Sequence, residues 1–188
     1  MKRVHIVGGP GSGKTTLARR LGEDRSRPVI ELDAIGYANG AGPKRALADK
    51  LVDVQGIAEQ PAWVSEGIFL WWTDALLDQA DCIVWLDPPW TVSCWRILAR
   101  HTKASIRRAN KHKGLKRLWH FLLGARSYYV GPIRQPASLD DDGAVTRAAT
   151  ALALGEYGEK VVRITNRREY RTFLSFTSCR TEETTARQ

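Results

Sequence analysis

The chain has 188 residues, 43% of them apolar, and 29 Lys and Arg against 20 Asp and Glu. That length suits one domain with a full core and an appended flap, and argues against two independent domains. No apolar run approaches the ~20 residues that cross a bilayer, and the N-terminus lacks a signal peptide's apolar core, so neither a membrane nor a secreted protein is expected and the cytoplasm is the expected compartment.

The first element is a strand over Val4-His5-Ile6-Val7, followed by Gly8-Gly9-Pro10-Gly11-Ser12-Gly13-Lys14-Thr15 and a helix carrying Thr16-Leu17-Ala18. Gly, four residues, then Gly-Lys-Thr is the P-loop spacing. Gly8, Gly11 and Gly13 let successive backbone N–H groups turn inward as an anion-sized nest. The helix start points its positive end at the same spot, and Lys14 adds a mobile cation. Thr15 offers a hydroxyl to magnesium, which prefers hard oxygen ligands. Gly8 to Thr16 are therefore expected to cradle the phosphates of a nucleoside triphosphate such as ATP, with Mg2+.

A short buried strand is predicted over residues 27–33, ending on Asp33, then a loop over 36–43 and an amphipathic helix over 44–60. Residues 62–67 form a third strand that closes on Glu66-Gly67, 73–80 a helix, and 81–87 a fourth strand that closes on Asp87. Cys82 lies in that strand and reads as a core thiol; with Cys94 and Cys179 it makes an odd, widely spaced set that suggests neither disulfides nor zinc. From Trp90 to Gln135 there are eleven Lys and Arg and no acid, while the rest of the chain holds 18 basic and 20 acidic residues. The basicity belongs to this segment and calls for an anionic partner there. A helix beginning near Thr91 sets Arg96, Arg100, Lys103 and Arg107 along one stripe, with Val92, Trp95 and Leu98 facing elsewhere. Residues 115–129 alternate basic and aromatic groups, and Leu118, Leu122 and Leu123 favour a buried helix for them. Asp140-Asp141-Asp142 reads as a solvated loop, 145–154 as a helix, 159–165 as a fifth strand, 166–168 as a turn and 169–174 as a closing helix. From Ser178 the chain is polar, so residues 1–177 read as one domain with a basic lid at about 96–135, and 178–188 as a disordered tail.

Strands alternating with helices imply parallel pairing, which gathers the P-loop, Asp33, Glu66 and Asp87 on one sheet edge. Phosphoryl transfer is chiefly positioning and charge neutralisation. Glu66 is the candidate for the magnesium shell with Thr15, Asp33 for acceptor contact or general base, and Arg96 and Arg100 for a cationic lid over the phosphates. Each acid has a plainer alternative as a helix cap or solvated strand end.

The P-loop with Leu17-Ala18, Ile30-Glu31-Leu32-Asp33, Trp63-Val64-Ser65-Glu66-Gly67, Ala80-Asp81-Cys82-Ile83-Val84-Trp85-Leu86-Asp87 and Trp95-Arg96-Ile97-Leu98-Ala99-Arg100 together resemble the adenylate kinase-like P-loop kinases, and within them the small proteins often labelled DNA topology modulation proteins. The resemblance implies a three-layer α/β fold with a five-stranded parallel sheet in the order 2-3-1-4-5, magnesium-ATP as donor, and a basic helical lid. It further implies that Arg96 and Arg100 touch the phosphates and that the turn at Thr165, Asn166 and Arg167 packs on the adenine. The Thr-Gly and arginine motif of the nucleoside monophosphate kinases is replaced here by Leu32-Asp33-Ala34-Ile35-Gly36-Tyr37, which leaves the acceptor open. The leading reading is an ATP-dependent phosphotransferase acting on a small hydroxyl- or phosphate-bearing acceptor. Two alternatives stand beside it: a nucleotide-dependent protein that binds nucleic acid through the basic segment 96–134, and an ATP-binding protein without transfer activity.

Overall fold

Parallel strands cannot be joined by tight hairpins, so each pairing needs a crossover, and the chain supplies a helix at each one. The computed structural model describes residues 1–23, 27–106 and 115–185, with backbone alone at 104–106, 115 and 178–185. The strands are β1 (Arg3–Gly8), β2 (Val29–Glu31), β3 (Trp63–Gly67), β4 (Cys82–Leu86) and β5 (Val161–Ile164). All pair in parallel, in the order β2-β3-β1-β4-β5. The helices are α1 (Lys14–Glu23), α2 (Leu32–Gly36), α3 (Leu47–Ala58), α4 (Asp74–Gln79), α5 (Trp90–Ile106), α6 (Leu115–Val130), α7 (Arg147–Gly155) and α8 (Arg167–Thr185).

A sheet covered on both faces must be apolar on both, and β1, β3 and β4 are. Val4, Ile6 and Val84 pack with Leu17 and Leu21 of α1 and with Phe173 and Leu174 of α8. Val7, Trp63 and Ile83 face Val54 and Ala58 of α3, Leu76 and Leu77 of α4 and Leu154 of α7. These are the three layers expected. Among the described residues no helix is long and apolar enough to cross a membrane. Cys82 is buried as a core thiol, and burial pushes it up to about 11.

Several expectations are corrected. The second strand stops at Glu31, and Asp33 stands in the helical turn α2 rather than at a strand end. Leu32 and Ile35 are both buried, a three-residue spacing that a helical turn serves and strand alternation does not. The aromatic segment is not a buried helix: Trp119 is 63% exposed and Phe121 and Leu123 are also exposed, whereas Ala125, Tyr128 and Tyr129 near the C-terminal end of α6 are buried. Arg107 lies outside the described residues. On α5 the packed positions are Ser93 and Ile97, while Trp95 and Val92 are exposed. The closing helix continues past Leu174 to Thr185, through residues expected as a disordered tail, because neither Gly nor Pro interrupts it.

One core residue ties stability to pH. His5 lies on the central strand with no exposed surface; its Nδ1 is 2.8 Å from Ser65 Oγ, and its Nε2 has no hydrogen-bond partner among the described residues. Burial lowers its pKa from 6.5 to about 4, so the folded protein holds it neutral. The unfolded chain takes up that proton first as pH falls. The associated stability is therefore complete above pH 6.5 and is lost progressively towards pH 4, a fall of about 3 kcal/mol. Chemical denaturation at pH 7 and pH 4 should show His5→Gln losing less stability than the native chain; equal losses would contradict the assignment.

Candidate phosphoryl-transfer site

The carboxyl end of β1 opens into the P-loop at the centre of the sheet, with β3 and β2 on one side and β4 and β5 on the other. Gly11 and Gly13 have φ of 76° and 104°, the left-handed region that favours glycine. At Gly11 a Cβ would also come within 2.7 Å of the Ser93 carbonyl oxygen of α5. The loop bonds to itself through Ser12 N–H to the Gly9 carbonyl, 3.2 Å, and Leu17 N–H reaches the Gly13 carbonyl at 3.1 Å to begin α1. Thr16 is exposed on the first turn. Ser12 Oγ is buried without a hydrogen-bond partner among the described residues.

A P-loop on the central strand of a parallel 2-3-1-4-5 sheet decides the architecture. The fold is a three-layer P-loop α/β fold. No family model matches the chain, and no curated protein matches it. Solved structures resemble it at low identity. A shikimate kinase from Acinetobacter baumannii in complex with shikimate is 18% identical over 85% of this chain and 96% of that one, with a TM-score of 0.41. A gluconokinase from Sinorhizobium meliloti is 20% identical over 83% and 95%, with a TM-score of 0.44. A sugar kinase from Janibacter is 16% identical over 86% and 99%, with a TM-score of 0.42. None of these three is a DNA topology modulation protein.

Within this fold, half-buried Lys14 folds back over the loop and donates to the Gly9 carbonyl at 3.3 Å. Burial lowers its pKa, the Glu66 and Asp33 carboxylates oppose that, and the Arg100 charge adds to it. Register places Glu66 of β3 beside Ile6 of β1, one strand from the loop. Thr15 donates its hydroxyl to Glu66 Oε1 at 2.5 Å. Burial raises the Glu66 pKa; the Thr15 bond and Lys14 pull it down, and Asp33 and Glu31 push it further up. These two hard oxygen donors under Lys14 suit an ion that takes few protein ligands and keeps its waters, as magnesium does.

Asp33 follows β2, two strands from β1, and its carboxylate has no hydrogen-bond partner among the described residues. Its pKa is raised first by partial removal from water; Lys14 opposes the shift, while Glu31 and Asp142 support it. Arg96 of α5 donates Nη1 to the Ser12 carbonyl at 2.7 Å, so it already touches the loop it was expected to cover. Arg100 stands one turn further along, close enough for its charge to act on Lys14. Asn166 and Arg167 lie beyond β5, two strands away on the opposite side, or roughly 10 Å at ordinary strand spacing. Asn166 caps α8, its Oδ1 accepting from Arg168 and Glu169 N–H at 3.0 Å each. The structure thus brings Lys14, Thr15, Glu66, Arg96 and Arg100 to the loop, sets Asp33 on one flank and Asn166 with Arg167 on the other.

Three groups escaped the sequence reading. Asp140 and Asp142 are not a solvated turn: Tyr37 donates to Asp142 Oδ2 at 2.6 Å, Lys44 pairs with the same oxygen at 3.0 Å, and the buried Lys50 amine reaches Asp140. They tie the loop before α7 to the segment after Asp33. Asp87, left without a role, is fully buried between Arg147 and Arg163. Tyr128 and Tyr129 lie against Gly9 of the P-loop. Only Asp87 carried a local signal, as a carboxylate closing an apolar strand.

Proposed function

We propose that the chain is an ATP-dependent phosphotransferase that moves the γ-phosphoryl group of magnesium-ATP to the hydroxyl of a small acceptor. The observation that carries this reading is the Thr15 to Glu66 hydrogen bond of 2.5 Å directly after the P-loop lysine, a hard-oxygen pair beside the loop that would suit magnesium. The orphaned Ser12 hydroxyl supports it, since a phosphate oxygen would supply the acceptor that this buried group lacks.

In this reading the loop N–H groups and Lys14 bind the phosphates, and Arg96 and Arg100 close over the transferred group. Thr15 and Glu66 would hold magnesium, which would neutralise charge building on the phosphate oxygens. Asp33 orients the acceptor hydroxyl and takes its proton as the new O–P bond forms and the bond to ADP breaks; its raised pKa suits a proton acceptor. The turn Thr165 to Arg167 receives the base. A hydroxyl is favoured over a phosphate because carboxylates dominate around Asp33. Among the described residues Lys14 alone opposes them: Glu31 and Asp142 act on Asp33, and Asp33 acts in turn on Glu66, while Arg19 pairs with Glu31 and Lys44 with Asp142. An anionic acceptor needs free cations there.

ADP release from magnesium-ATP across polyols, amino alcohols, sugar acids and nucleoside monophosphates tests the reading. One hydroxyl class should stimulate release, and Lys14→Ala should reduce it at least about a hundredfold, the scale for removing a donor that meets developing charge. No stimulation by any acceptor would refute the assignment. A second reading, nucleotide-dependent nucleic-acid binding, draws on Trp95, Trp119 and Phe121, all exposed on the two helices of the basic segment. It requires oligonucleotide binding that weakens steeply with salt.

A further inference from the structure

The outer side of the P-loop is gripped by the helices of the basic segment. Arg96 takes the Ser12 carbonyl, 2.7 Å, and the Tyr129 hydroxyl lies 3.1 Å from the Pro10 carbonyl oxygen and 2.7 Å from Ser93 Oγ. A carbonyl can only accept, so the phenol donates its one hydrogen to Pro10 while Ser93 donates to the phenol. Burial pushes the Tyr129 phenol up to about 12, which keeps it a neutral donor. The ring itself is fixed. It meets Trp90 at 5.3 Å and Tyr128 edge-on at 5.1 Å, and a Cβ on Gly9 would come within 2.9 Å of its Cζ.

A trans peptide is planar, with its C=O and N–H pointing in opposite directions. Holding the Pro10 carbonyl outward therefore aims the Gly11 N–H inward, and Arg96 does the same for the Gly13 N–H through Ser12. Both glycines have positive φ and would otherwise let these peptides rotate. Arg96 leaves its carbonyl if it closes on a phosphate, whereas Tyr129 carries no charge to be drawn away.

We infer that Tyr129 is a positioning residue for the triphosphate, holding the Pro10–Gly11 peptide with its N–H turned into the phosphate nest. The inference rests on the nucleotide-binding part of the function proposed above. The test is the dissociation constant of magnesium-ATP, by calorimetry, for the native chain, Lys14→Ala, Tyr129→Phe and Ser93→Ala, with the melting temperature of each nucleotide-free protein. Tyr129→Phe keeps the ring and removes only the donor. Its dissociation constant should rise about fivefold, the scale of one net hydrogen bond, while the nucleotide-free melting temperature falls by only a few degrees, since the bonds to Pro10 and Ser93 exist without nucleotide. Ser93→Ala should move the same way by less. If Lys14→Ala abolishes binding while Tyr129→Phe binds like the native chain, the inference is wrong and nucleotide binding stands. A lower nucleotide-free melting temperature in Tyr129→Phe with an unchanged dissociation constant would make Tyr129 a packing residue and also overturn it. If the native chain does not bind magnesium-ATP, both fall together.

Discussion

Glu66→Gln is expected to lower turnover by about a hundredfold while leaving the fold at least as stable, a divergence that separates a working carboxylate from a structural one. The glutamine carbonyl can still accept from the Thr15 hydroxyl, which now bonds Glu66 at 2.5 Å, so the local geometry survives. What disappears is the negative charge beside Lys14. Burial raises the Glu66 pKa, so the folded state disfavours the ionised form. The stability this group contributes is present below its ordinary pKa and is lost as pH rises through the raised one; at neutral pH the charge is a burden that glutamine removes. The variant should also need more magnesium for half-maximal rate. Turnover measured against magnesium, alongside thermal melting, checks both halves. A variant that kept its rate would take Glu66 out of the proposed metal site.

Asp87→Ala should give the largest loss of stability of any single replacement proposed here. Its carboxylate is 0% exposed and accepts from Arg147 Nε at 2.7 Å and Nη2 at 2.9 Å, and from Arg163 Nη2 at 2.6 Å and Nε at 3.0 Å. Arg163 also lies 4.4 Å over the Trp85 ring. One buried acid thus binds the start of α7 and the edge strand β5 to the end of β4. Removing one member of a buried ion pair costs about 3–5 kcal/mol. The arginines are 40% and 49% exposed and can turn to water, which puts the expectation at the lower end, about 3 kcal/mol. For a domain of this size that is a fall of about 6–12 °C in melting temperature. Arg147→Ala or Arg163→Ala should each lose less, since the other guanidinium still pairs the acid. Denaturant titration of the three variants would show the order, and an Asp87→Ala loss no larger than either arginine's would contradict the clamp.

The strand pattern and the P-loop were legible because both are local: a β-branched run followed by glycines at fixed offsets needs no partner to be read. The position of Glu66 was legible because it closes such a run one strand from the loop. Asp33 was placed one element out, since Leu32 and Ile35 show their three-residue spacing only when the core that buries them is known. The bond between Tyr37 and Asp142 joins residues 105 apart, and the arginines on Asp87 come from 60 and 76 residues away. No window of sequence contains both ends of these contacts. Likewise Leu123 and Trp119 look like core residues by type, and their exposure depends on where the buried end of α6 places the rest of the helix.

The central place of β1 also sets the order in which a growing chain acquires its nest. The strand made first pairs with β3 and β4, and Gly8 meets its partner Leu86 only after 78 further residues have been added. At cellular rates of about 5–20 residues per second, the glycine loop waits roughly 4–16 s for the wall that shapes it. If the loop binds ATP as proposed, a ribosome-stalled chain ending before Leu86 should carry an intact P-loop sequence and bind ATP far more weakly than the full chain.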